Sequence, residues 1–232
     1  MDAAHKNTLL GHLVDIRRTA SNDDITFNQI NDGELEQLTK SIYVQKTTWE
    51  KLKVHEQSFL RCCAASKQGT KAVLVGRSAA RICDVWLVGR QDETVEVALK
   101  HGNPPWTGTQ PLGYRYKRTV LADGDIQVRG DLRFTNAVRT AIDVARAGDL
   151  CDGTVAFESL LCRHNAFNTE IIKAECRAVM FRMQRTRGIG RAREALDRAT
   201  NRSESPYETR MRLLVQAAGY QCMAQVKIGK YR

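Results

Sequence analysis

A serine, a proline and a glutamate at positions 205, 206 and 208 fix one helix start more tightly than anything else in this chain constrains its folding. In Ser203-Glu204-Ser205-Pro206-Tyr207-Glu208, Ser205 suits the position that caps a helix. Pro206 suits the first helical position, where a missing N–H costs nothing, and Glu208 falls where its carboxylate reaches back to the cap amide. The apolar residues that follow, Tyr207, Met211, Leu214 and Ala218, recur at helical spacing and predict a buried face, with Gly219 closing the helix. QCMAQVKIGKY, 221–231, then reads as a strand entering a hairpin.

Upstream of that point the chain from about 135 is mainly helical by the same periodicity. Thr135 is expected to cap a helix carrying Val138, Ala141, Ile142 and Ala145 on one face and ending at Gly148. Arg139 and Asp143, four apart, are placed to pair on its surface. A helix follows from about 154 to 163, and another starts near Asn168 with Ile172, Cys176, Val179 and Met183 inward. RTRGIGR, 185–191, interrupts as a hinge before a helix with Ala192, Ala195, Leu196 and Ala199 on one face.

The first half mixes periods. Leu9, Leu13 and Ile16 share a helical stripe within 8–19, SNDD at 21–24 breaks it, ELEQLTK at 34–40 reads as a short helix and SIYVQ at 41–45 as a strand. That order suits a reduced winged helix, as it does many small α+β units. HEQSFLRCCAAS, 55–66, reads as a helix with Phe59, Leu60 and Cys63 inward, KAVLV, 71–75, as an apolar strand, and Gly76 to Ala80 as a turn into a small helix capped by Ser78. Val95, Val97 and Leu99 alternate as a half-buried strand. YRYKRTVL and DIQVR flank Ala122-Asp123-Gly124, which predicts a hairpin between them.

Charge separates the ends. From Lys173 onward there are 14 Lys/Arg against 5 Asp/Glu, whereas the first 172 residues hold 22 against 21. Such asymmetry suits a polyanion partner near the C-terminal third, with a solvated basic face as the alternative. Arg182, Arg185, Arg187, Arg191 and Arg193, with Arg202 beyond, form the densest cluster and the expected DNA-binding residues, positioning phosphate without reading sequence. Glu194–Arg198 and Arg193–Asp197 could neutralise part of it. Tyr114 and Tyr116 alternate with Arg115, Lys117 and Arg118, a pattern that serves base stacking or an ordinary sheet face.

Several chemistries lose support. The seven cysteines form no CxxC pair, and Cys62–Cys63 on one helix point about 100° apart, which favours reduced structural thiols over zinc ligands. The five histidines are scattered, Gly188-Ile189-Gly190 follows a helix and lacks a third glycine, and Gly76-Arg77-Ser78 is not a nucleophile elbow because position 80 is alanine. No run approaches the roughly 18 apolar residues of a membrane span and the N-terminus carries no apolar core of a secretory signal, so a cytoplasmic protein without membrane association is expected.

SESPYETRMRLLVQAAGY resembles the opening helix of nuclease-like domains related to the very-short-patch-repair endonucleases. Upstream, VGRSAARICDVWL at 75–87, FTNAVRTAIDVAR at 134–146 and GIGRAREALDRA at 188–199 resemble blocks of proteins similar to the antitoxins of the abortive-infection AbiE systems. The likeness covers roughly residues 41 to 228. It implies a DNA-binding, toxin–antitoxin regulator with a nucleotidyltransferase-like toxin as partner. It also makes Glu208 the counterpart of a helix carboxylate that joins an aspartate and a Glu-x-Lys pair on later strands to hold Mg²⁺. With those strands beyond Val226, the expectation is a truncated PD-(D/E)xK-like module, catalytically inactive as this chain. Glu208 is then a vestigial metal-site carboxylate acting mainly as a cap, with no cofactor and Mg²⁺ only if the module is completed in trans. The rival is a remnant or split endonuclease taking strands from another polypeptide.

The expected architecture is α+β: a helical or degenerate winged-helix unit over 1–54, a mixed α/β middle domain over 55–150, a basic helical region over 151–202, and the start of a nuclease-like domain over 203–232.

Overall fold

The computed structural model describes all residues except 20–23, 70, 90–93, 102, 107–109, 111–112, 163, 223–224 and 226–232. The chain is α+β, and its contacts divide into two compact units. One comprises 1–82 with 91–134, the other 83–90 with 135–232. The 55–150 stretch therefore contributes to both.

The first unit opens with α1 (Ala3–Gly11), β1 (Val14–Asp15), α2 (Asp24–Asn31), β2 (Leu35–Gln37) and β3 (Ile42–Gln45). Asp2 caps α1 by accepting the His5 amide at 2.7 Å. This helix stops at Gly11, well short of residue 19, because Val14 and Asp15 leave the helical path to pair with Tyr43 and Ile42. The three strands lie antiparallel in the order β1-β3-β2. Residues 35–37 are thus a strand and not the short helix their composition suggests. Ile42 and Val44 are fully buried on β3, and β2 supplies its second edge with Leu35 turned inward, so pairing overrides a weak local preference. Of the predicted breaker at 21–24, residues 21–23 lie outside the described residues.

A single-turn α3 (Lys46–Trp49) leads to α4 (Val54–Gln68), which buries Phe59, Leu60, Cys62 and Cys63. Its last residue serves the small sheet: Gln68 Oε1 accepts from the Thr39 hydroxyl at 2.9 Å and from the Ser41 amide at 3.0 Å. Then come β4 (Ala72–Leu74), α5 (Gly76–Cys83), β5 (Val95–Leu99), β6 (Tyr114–Tyr116), β7 (Ile126–Arg129) and β8 (Leu132–Thr135). They form a five-stranded sheet in the order β6-β5-β4-β8-β7. β4 runs antiparallel to β5 and parallel to β8, and β5 runs parallel to β6.

The expected hairpin across Asp123-Gly124 does not form, because β6 and β7 occupy opposite edges of this sheet. Ala122 instead leads into a single 3₁₀ turn at Asp123–Asp125, with Asp125 accepting the Ala122 amide at 3.0 Å. The tight connection is Gly130-Asp131 between β7 and β8, with Gly130 at φ 56°. Ser78 is not a helix cap either. It lies inside α5, fully buried, and its hydroxyl accepts the Glu96 amide at 2.8 Å to tie helix to strand.

The second unit is helical: α6 (Ala137–Ala147), α7 (Leu150–Leu161), α8 (Ala166–Arg182), α9 (Ile189–Arg198) and α10 (Pro206–Ala217). Asn136, one residue after the expected Thr135, caps α6 by accepting the Arg139 amide at 2.8 Å; the Thr135 hydroxyl is engaged with Thr140. Arg139 and Asp143 do pair, at 3.0 Å, but in the interior and not on the surface. Small residues let the helices approach closely. A Cβ on Gly153 of α7 would lie 2.8 Å from Ala195 of α9 and 2.9 Å from Ala145 of α6, so three helices meet at that glycine.

The break between α8 and α9 is held, not hinged. Gly188 adopts φ +84°, and a Cβ there would lie 2.2 Å from the backbone oxygen of Arg146. Gly188→Ala should cost about 2–3 kcal/mol, from left-handed backbone strain and from a clash that only main-chain movement relieves. Urea titration checks it, with Gly190→Ala as the control because a Cβ on Gly190 meets nothing within 4 Å. Equal stability of the two variants would contradict the close approach.

Candidate nucleic-acid interface

Arg182 ends α8, Arg185 and Arg187 lie in the turn, Arg191 and Arg193 sit on the first two turns of α9, and Arg202 follows α9. All six are exposed. The inner face of the same segment is apolar: Met180, Met183, Ile189, Ala192, Ala195, Leu196 and Ala199 are buried, so the arginines are what the helical spacing leaves outside. Gly188 begins α9 without a side-chain cap, and its positive end opens among Arg187 and Arg191. Arg191 is itself positioned, its Nη1 donating to the Gly148 carbonyl at 2.6 Å.

Nearby acids turn away from this face. Glu194 pairs with Arg198 at 3.1 Å as expected, but Asp197 lies 4.0 Å from Arg177 on α8 instead of serving Arg193. Arg177, Arg193 and Asp197 rim a groove of about 220 Å³ whose floor is Met180 and Leu196.

Ser205 caps α10 as predicted, but the Glu208 carboxylate reaches the Glu204 amide, one residue before the cap, and not the amide of Ser205 itself. Ser205 Oγ accepts the Glu208 amide at 3.3 Å, and the carboxylate accepts the Glu204 amide and the Ser205 hydroxyl, each at 3.0 Å. Gln225 Nε2 adds a contact at 3.2 Å. These donors hold the carboxyl below its usual range, the Glu204 amide most of all. Both oxygens are therefore engaged in starting a helix. Among the described residues no three His, Cys, Asp or Glu side chains come together to hold a metal ion.

The face of α10 expected to be buried is outward. Tyr207, Met211 and Leu214 are 71%, 62% and 57% exposed, while Thr209 and Arg212 point inward. The helix docks through them onto Glu158 of α7, which is fully buried and accepts from Arg212 at 2.5 Å, from the Thr209 hydroxyl and from the Thr200 amide at 2.8 Å. A polar clamp replaces the apolar contact because the buried Glu158 carboxylate demands donors, and with that partner 54 residues away periodicity within α10 gives no sign of it. The strand expected over 221–231 lies mostly outside the described residues.

In the first unit, Tyr114 turns partly inward with its hydroxyl buried, and burial raises its pKa. Lys117 pairs with Glu96 at 2.9 Å. Packing has thus claimed two members of the aromatic–basic alternation. A cleft of about 450 Å³ that sequence reading missed is lined by Arg17, Arg18, Lys67 and Arg133 with Asp15 and Asp131. Two of its arginines are engaged, Arg17 with Asp15 and Arg18 with Asp131, each at 2.8 Å. Its residues come from three distant stretches of chain, so no local pattern announces it. All seven cysteines are free thiols, and burial raises Cys62, Cys63 and Cys176, the last to about 12, which disfavours a thiolate nucleophile. Among the described residues no helix is long and apolar enough to cross a membrane.

Comparison with protein families, with curated proteins and with solved structures finds no match to this chain.

Proposed function

We propose that this chain is a DNA-binding regulator similar to AbiE-type antitoxins, repressing its own operon and restraining a nucleotidyltransferase-like toxin, without nuclease activity of its own. The observation that carries the DNA contact is the set of five exposed arginines, 182 to 193, around the uncapped start of α9. Backbone amides at a helix start and flanking guanidinium groups are a phosphate-binding combination, and phosphate contacts position a protein on DNA without specifying sequence. The α1-β1-α2-β2-β3 order with β3 central supports reading the N-terminal segment as a reduced winged helix, the element that would read sequence. The double engagement of Glu208 supports the non-catalytic part.

The test is a titration onto DNA from the upstream region of its own gene and onto scrambled DNA across a salt series. Binding should prefer the upstream region and weaken steeply with salt. Replacing Arg182, Arg185, Arg187, Arg191 and Arg193 by alanine should flatten the log–log salt dependence by up to about 4.5 and weaken binding at least roughly a hundredfold at low salt. An unchanged slope would remove the patch from the interface, and failure to bind either DNA would overturn the reading.

A second reading, a split endonuclease, rests on the outer face of α10. Its exposed Tyr207, Met211 and Leu214 suit a helix awaiting a sheet from another polypeptide, with Glu208 then drawn to Mg²⁺. It requires Mg²⁺-dependent nicking of plasmid DNA once that polypeptide is added, abolished by Glu208→Gln. Absence of nicking with the complementing strands present would eliminate it.

A further inference from the structure

We propose that the chain pairs with a second copy of itself through α8, the two helices running antiparallel about a two-fold axis. α8 is apolar on two opposite faces. Thr169, Cys176, Val179 and Met180 fill the core of the second unit. On the far side Phe167, Ile171, Ala174, Ala178 and Phe181 are all exposed, the three large ones at 74%, 52% and 68%. Their spacing is 4, 3, 4, 3, the heptad pattern of a seam that packs against another helix and not the broader stripe of a helix laid on a sheet or a core.

Charges beside the seam select the occupant and its direction. Glu170 and Arg177 flank one side; Asn168, Glu175 and Arg182 flank the other. In a parallel pair of identical helices, Glu170 would face the partner's Glu175 and Arg177 the partner's Arg182, two repulsions made twice. Antiparallel pairing brings Glu170 to the partner's Arg177, again twice by symmetry, and leaves Glu175 facing the uncharged Asn168 of the partner subunit. In the same register large residues meet small ones, Phe167 against the partner's Ala178 and Ile171 against the partner's Ala174. Phe181 then covers each end of the seam. One sequence satisfies both sides of such a contact, which is what an isologous interface needs. Arg177 can reach it, since its pair with Asp197 is stretched to 4.0 Å and both side chains are more than half exposed.

Sedimentation of the full chain over a micromolar concentration series tests the pairing. The expected mass is twice that of the chain. Ile171→Glu, at a position already half exposed, should leave the circular-dichroism melt unchanged and raise the dimer dissociation constant at least about tenfold. Glu170→Arg and Arg177→Glu should each weaken the dimer, and the two together should restore it. A chain that stays monomeric throughout overturns the proposal. So does a dimer indifferent to Ile171→Glu, which would put the contact on another face such as that of α10. Tightening by Glu170→Arg alone, the result a parallel pair predicts, overturns it as well.

Discussion

Glu158→Ala should cost about 3–5 kcal/mol, the cost of leaving a buried guanidinium without its carboxylate. Glu158 is fully buried and the Arg212 side chain is 7% exposed, so water can replace little of what is lost. Arg212 has few alternatives: Gln216 and the Arg198 carbonyl both stand at 3.4 Å, and its Nε is already buried without a partner. The Thr200 amide loses its acceptor in the same step, and the Thr209 hydroxyl keeps only the Ser205 carbonyl at 3.5 Å. For a chain of this length the melting temperature should fall on the order of 10 °C. Because this carboxylate is what fastens α10 to α7, trypsin should also cut at Arg210 in the variant well before it cuts the parent. Replacing Glu158 and Arg212 together by leucine should cost less than Glu158→Ala alone, since no unpaired charge remains. A loss under about 1 kcal/mol for Glu158→Ala would show that the clamp is not what holds α10.

Local rules read well wherever the physics was local. Ser205, Pro206 and Glu208 marked the start of α10 correctly because capping involves only neighbours. Ala192, Ala195, Leu196 and Ala199 are buried together as the spacing required. The same reasoning turned α10 the wrong way round, since whether Met211 or Arg212 faces inward depends on a glutamate in another helix. It made residues 35–37 a helix because the strand they pair with could not be weighed from their own composition. The β6–β7 error has the same origin: Asp123-Gly124 is a genuine turn signal, but strand order is set by β5 and β8, which each edge strand finds elsewhere. At the candidate interface the arginines were legible as a cluster, and their exposure follows from the apolar residues between them. The uncapped start of α9 and the diversion of Asp197 to Arg177 were not legible, because both depend on how α8 and α9 pack.

Asp143→Ala is expected to match the Glu158 variant, at about 3–5 kcal/mol, and it tests how the basic turn is supported. Asp143 accepts from Arg139 Nε at 3.0 Å and from Arg146 Nε at 2.7 Å, one carboxylate serving two guanidinium groups. Arg139 is only 1% exposed, so its charge cannot move to solvent when the carboxylate goes. Glu194→Ala is the contrasting case: its pair with Arg198 is about half exposed on both sides and should be worth under about 1 kcal/mol, less still in high salt. The Asp143 effect should persist in high salt because buried pairs are weakly screened. The consequence reaches the proposed interface through the end of α6. The Arg146 carbonyl lies against Gly188, and the Gly148 carbonyl holds Arg191, so this end of α6 is the bed on which the arginine-bearing turn rests. Under conditions where the variant remains folded, Asp143→Ala should therefore weaken DNA binding with the salt slope nearly intact, because the phosphate contacts are loosened and not deleted. Alanine replacement of the arginines themselves should lower the slope. A stability loss no larger than that of Glu194→Ala would refute the buried-charge argument, and full DNA affinity in a destabilised but folded Asp143 variant would detach the turn from its support.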